Sequence, residues 1–164
     1  MSIARRKPLP RKRAKKRAWK SPRCSVRGCK RAATVNAVTW NGDPEIRYCL
    51  SHAKQEADRL FSLAVRSVGH CERCSKTEGL QCSHFISRRY LGVRWTRLNA
   101  ECLCRGCHKY LTERPLEARD RARELLGATV YDELEDQARR FVGPVDYAAV
   151  LAKYPDDRRR EDKK

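Results

Sequence analysis

The spacing of cysteine and histidine constrains this chain more than any other feature. Seven of its nine cysteines fall into close pairs or beside a histidine: Cys24 with Cys29, Cys49 with His52, Cys71 with Cys74, and Cys104 with Cys107. Only 40% of the chain is hydrophobic and 35% is charged, with three Phe and three Trp. So polar a chain has no large apolar core to draw on, and a compact fold needs cross-links. Disulfides would suit a secreted chain, but "MSIARRKPLPRKRAKKRAWK" has no apolar leader run. No stretch of about 18 apolar residues follows either. The expectation is a cytoplasmic protein in a reducing compartment, where such pairs read as zinc ligands.

Cys71, Cys74, Cys104 and Cys107 form two C-x-x-C knuckles with 29 residues between the inner cysteines. Two such knuckles converging on one tetrahedral zinc make a closed structural site. Each thiolate must be deprotonated to bind, so binding energy becomes folding energy. Cys24, Cys29, Cys49 and His52 supply a second set, Cys3His, with a wider first spacing. Cys82 and Cys102 are then left over. They read either as small core hydrophobes or as metal ligands, with Cys102 able to compete with Cys104.

The net charge is +18, and residues 1–23 carry eleven Lys and Arg with no acid. The nine-residue tail "DDRRREDKK" nearly balances itself, so residues 24–155 hold 22 basic and 16 acidic groups. A basic arm attached to a basic folded part is expected to bind nucleic acid by releasing counterions from its phosphates. Six segments follow: a disordered basic arm (1–23), an N-terminal zinc finger (24–52), a connecting helix (53–69), a cysteine-rich core (70–112), C-terminal helices (113–155) and a charged tail (156–164).

Within the finger, "ATVNAVTW" and "EIRYC" are strand-like, and Asn41-Gly42 between them signals a hairpin. Residues 53–68 place Ala57, Leu60, Phe61, Ala64 and Val65 on one helical face, with Gly69 as a stop. Pro115 and Gly127 bracket another helix. Thr129 is the expected N-cap of a third, and "PVDYAAVLAKY" is read as a fourth that starts at Pro144. Trp95 is assigned to the core and His70 to the surface.

The core segment carries a resemblance. The paired knuckles around "SHFISRR", followed by "RLNAECLCRGCH", resemble the HNH endonucleases, with His84, Asn99 and His108 matching the three letters of that name over about residues 70–112. The order of finger, charged helix, core and trailing helices is similar to the phage NinG (Rap) recombination endonucleases. The resemblance implies an α+β fold with a small zinc-stabilised ββα-metal core, an N-terminal zinc finger and flanking helices. It implies His84 as general base, His108 as ligand of a catalytic Mg2+ or Mn2+, and Asn99 as the residue that holds the loop near His84. The implied substrate is DNA, branched or junction DNA included. Phosphodiester hydrolysis fits these residue types, because it needs a base for water and positive charge near the phosphorus.

Arg88, Arg89, Arg94 and Arg97 lie between His84 and Asn99 and read as a phosphate clamp. The chain departs from the family where a metal-binding acid is usual, with Ser83 and Gln81 at those positions, and Thr112 standing for a frequent histidine. Cys82, Glu113, water and substrate phosphate are the candidates to complete the shell. The rival expectation is a non-catalytic zinc-finger protein that binds nucleic acid.

Overall fold

The computed structural model describes residues 22–37 and 46–154. The basic arm up to residue 21, the Asn41-Gly42 turn and the tail from residue 155 lie outside them. The described residues form an α+β protein with two small antiparallel sheets and five α-helices.

The first sheet pairs β1 (Val35–Ala37) with β2 (Ile46–Tyr48). Helix α1 (Leu50–Arg66) follows directly. It begins three residues earlier than its apolar period suggests, because Cys49 takes the extended N-cap conformation and His52 lies within the first turn. Ala57, Leu60, Phe61 and Val65 are buried as the spacing requires, and Gly69 follows at φ +82°. That left-handed value suits a residue without Cβ.

The second sheet is a hairpin of β3 (Leu80–His84) and β4 (Ala100–Cys104), running from Leu80 opposite Cys104 to His84 opposite Ala100. Helix α2 (Arg105–Thr112) leaves β4 without a break, Cys104 serving as last strand residue and N-cap. Strand alternation gives the hairpin two faces. Cys82, Ala100 and Cys102 share a cluster with Phe61 and Val65 of α1. Leu103 faces the other way, into a cluster with Cys71, Cys107 and Leu111.

Three further helices close the molecule: α3 (Pro115–Leu126), α4 (Ala128–Arg140) and α5 (Tyr147–Lys153). Helix α3 starts at the expected proline. Helix α4 starts before Thr129, with Gly127 at the N-cap at φ +81°. Helix α5 starts after Pro144, where the Asp146 carboxylate accepts from the Ala149 N–H at 3.1 Å. Leu151 and Tyr154 bring it back onto the cluster that holds β1, β2 and α1. The finger and the hairpin therefore share one core and do not fold as beads on a string.

Gly92 sits where the long β3–β4 connection meets the end of α4. A Cβ there would lie 2.5 Å from Phe141 Cβ and 3.2 Å from the Gln137 carbonyl. Gly92→Ala is expected to force the connection off α4 and cost about 1–3 kcal/mol, as overpacking does. Denaturant unfolding of the metal-loaded protein measures this; wild-type stability would show that the contact yields freely.

Candidate functional site

The cysteine pairs converge as their spacing suggests. Cys71, Cys74, Cys104 and Cys107 form one group and Cys24, Cys29, Cys49 and His52 another, with all ligand atoms of each within 4.8 Å of one another. Cys74 Sγ lies 3.6 Å from Cys104 Sγ, and His52 Nδ1 lies 3.3 and 3.4 Å from the sulfurs of Cys24 and Cys49. A tetrahedral ion with metal–sulfur bonds of about 2.3 Å separates its sulfurs by about 3.8 Å. All nine cysteines are free thiols. Either group could hold a metal ion, and the donor sets suit a thiophilic one.

The environments divide the sulfurs within each group: burial pushes the Cys107 thiol up to about 12 and Cys29 is also raised, while Cys71 and Cys49 are drawn toward thiolate. At Cys71 burial pushes the thiol up, but N–H groups of Cys104, Arg73 and Cys74 outweigh it and bring it to about 6. At Cys49 the Ser51 hydroxyl and the His52 N–H bring the thiol to about 6. Arg73 points a guanidinium N–H at Cys107 Sγ, 3.8 Å away, and stacks on Tyr110, which also carries Arg114 on its ring. The first group joins the turn before β3 to the β4–α2 junction, and the second joins the start of α1 to the β1–β2 finger.

Cys82 and Cys102 stay out of both groups. They face each other across the hairpin on the α1 side. Cys102 is fully buried, and burial pushes the Cys82 thiol up to about 12. Both behave as small apolar residues.

His84 ends β3. Its Nε2 lies 3.0 Å from the Arg94 carbonyl, which can only accept, so Nε2 carries the proton and Nδ1 the lone pair. The ring packs at 5.5 Å on Phe61, and Cys82 Sγ lies 3.9 Å from Nδ1. Burial holds the imidazole pKa below the ordinary 6.5, against the opposing pull of the Arg94 carbonyl. The ring is therefore neutral at pH 7.

Asn99 is fully buried and ties the connection after β3 together. Its Oδ1 accepts from the Ile86 N–H at 2.7 Å, and its Nδ2 donates to the carbonyls of Ile86 and Val93 at 3.0 and 3.1 Å. Tyr154, just past the end of α5, adds a hydroxyl donated to the Trp95 carbonyl at 2.6 Å. The loop that supplies His84's partner is thus held from both ends.

His108 lies on α2, and its Nδ1 meets Gln81 Oε1 at 2.6 Å. Gln81 shares the Leu103 face of the hairpin, opposite the face of Cys82 and His84. The amide oxygen accepts a hydrogen bond from Nδ1–H, which leaves Nε2 as the ring nitrogen with a lone pair. No group of three ligand-type side chains forms around His108 among the described residues.

The four loop arginines divide. Arg88 and Arg89 are exposed. Arg94 is turned inward: Nε and Nη2 donate to the Asp58 carboxylate at 2.8 and 2.7 Å, and Nη1 donates to the Arg88 carbonyl. Only 11% of its side chain is accessible, so it cannot join a phosphate clamp without breaking a bidentate pair. Arg97 Nη1 donates to the Ala100 carbonyl, with Glu72 3.9 Å away. Arg66 of α1, which the sequence pattern did not single out, acts with Arg88 and Arg97 to pull the Cys82 thiol back down. Its place at the end of an amphipathic helix gave no signal of that.

With this geometry in view, comparison with family models, curated proteins and solved structures gives no match to the chain. No helix among the described residues is long and apolar enough to cross a membrane.

The two Cys/His groups could each hold a metal ion, and a metal bound there would make stability metal-dependent. Chelation of the bound metal, or Cys104→Ser, is expected to unfold the hairpin and α2, because such a site contributes of order 10 kcal/mol. Circular dichroism during chelator titration reads this out; a fold indifferent to the chelator would remove the metals from the account.

Proposed function

We infer that the chain is a zinc-braced, metal-dependent endonuclease of the HNH type that hydrolyses phosphodiester bonds in DNA, in phage recombination or DNA processing. The observation that carries the reading is His84: a neutral imidazole with Nε2 committed to the Arg94 carbonyl and Nδ1 carrying a lone pair. Asn99 bridging the following loop, and the order β3, β4, α2 clasped by four cysteines, support it. Zinc is the proposed occupant of both cysteine groups.

In this reading His84 Nδ1 takes a proton from a water whose oxygen attacks phosphorus, while the opposite P–O bond breaks. Arg88, Arg97 and Arg66 supply positive charge where the phosphorane becomes more negative. A catalytic Mg2+ or Mn2+ would add charge stabilisation when bound. The residues here do not fit one well: Gln81 and Ser83 are neutral, and hard cations prefer carboxylate oxygen. That poverty of ligands favours a second reading, a zinc-braced DNA-binding module without chemistry.

Plasmid cleavage with Mg2+ or Mn2+ separates the two readings. Under the first, His84→Ala loses about 10²–10⁴-fold in rate, the usual range for removing a general base, while DNA affinity and zinc content hold. The pH profile is equally pointed. A base with a depressed pKa is protonated and inactive only at low pH, so the rate should rise to a plateau through a midpoint below 6.5. A midpoint at or above that value would exclude His84 as the base.

The basic arm adds phosphate contacts in either reading. Removing residues 1–23 deletes eleven positive side chains. The plot of log affinity against log salt should flatten, since each phosphate neutralised contributes about −0.9 to the slope. An unchanged slope would assign the arm another role.

A further inference from the structure

The geometry points to Asp58 as a positioning residue for His84, acting through Arg94; the inference rests on the endonuclease reading. Asp58 belongs to α1, outside the hairpin and helix that carry His84, Asn99 and His108. Its carboxylate accepts from three side-chain donors: Arg94 Nε at 2.8 Å, Arg94 Nη2 at 2.7 Å and Trp95 Nε1 at 2.9 Å. Two consecutive loop residues are thereby fastened to one helix. The backbone carbonyl of Arg94, between those anchored side chains, is the group that His84 Nε2 reaches at 3.0 Å.

The consequence for His84 is chemical as well as steric. A histidine tautomer is set by the hydrogen bond that its other nitrogen makes. A carbonyl at Nε2 puts the proton there and leaves Nδ1, 3.9 Å from Cys82 Sγ, as the nitrogen that can accept one. If the carbonyl drifts, both tautomers are populated and Nδ1 spends part of its time as a donor, useless as a base. Asn99 fixes Ile86 and Val93, and Tyr154 fixes the Trp95 carbonyl, but neither bonds Arg94 itself. Asp58 does. The charge on Arg94 therefore serves to hold its own backbone, and the residue is not part of the DNA contact.

Nitrogen-15 spectra of His84 in the zinc-loaded full chain at neutral pH, together with cleavage and DNA-affinity measurements, test this. Wild type should show one Nε2–H tautomer. Asp58→Ala should mix the tautomers and lower the cleavage rate about 10–100-fold, the usual cost of losing a partner that orients a working histidine, at unchanged DNA affinity. Arg94→Ala should do the same, and the double variant should lose no more, because the two residues act as one unit. Asp58→Asn keeps the side-chain size but turns an amide N–H toward Arg94, so it should show a smaller shift in the same direction and decides the matter if the alanine variant does not fold. A wild-type tautomer in both Asp58 variants overturns the proposal. So does an Arg94→Ala variant that loses DNA affinity when Asp58→Ala does not. If the wild-type chain cuts no DNA, the endonuclease reading falls while the tautomer measurement still decides the positioning.

Discussion

The junction at Cys104 is the constraint on which the rest of the structure depends. One residue ends β4, caps α2 and contributes a sulfur to the group completed by Cys71, Cys74 and Cys107. The sulfurs lie on two pieces of chain: the turn before β3 and the unbroken junction of β4 with the first turn of α2. Closing them on one ion would fix the start of β3 against the end of β4, and hence a register that five residue pairs alone would hold weakly. A one-residue slip would send His84 to the opposite face of the hairpin.

Between the strands the chain runs through a connection with almost no regular structure, and its order comes from polar groups. Asn99 satisfies three backbone groups from inside, while Asp58 and Tyr154 hold it from α1 and the end of α5. No buried side-chain nitrogen or oxygen among the described residues lacks a partner. Such a network specifies one loop conformation, since each group left unmade would carry a full desolvation cost. The loop's positive charges are sorted by the same logic: Arg94 is used internally, Arg88 and Arg89 face outward, and Arg66 joins from another helix.

What was legible in the sequence was local. The cysteine spacings named both groups that could hold a metal ion, because ligands on a tight turn must recur at short intervals. The 3.6-residue period found α1, and Pro115 found the start of α3. Thr129 misled, since a glycine at positive φ can cap a helix without any side-chain oxygen. Pro144 misled because Asp146, two residues on, offered the carboxylate that caps α5. The pairs that decide the site join distant residues: Arg94 meets Asp58 across 36 positions, His108 meets Gln81 across 27, and Tyr154 meets Trp95 across 59. An arginine in a basic loop looks the same in sequence whether its partner is a phosphate or a carboxylate. Only the fold shows that Arg94 already has one.

The proposed division of labour assigns the metals to the fold and the neutral His84 to chemistry. X-ray absorption at the zinc edge of the full chain tests that division most directly. Two zinc ions sharing seven sulfurs and one nitrogen, the donors of the two groups, is the expected result. A third tightly bound zinc, or a nitrogen-rich shell that disappears in His84→Ala, would make His84 a ligand and contradict the account.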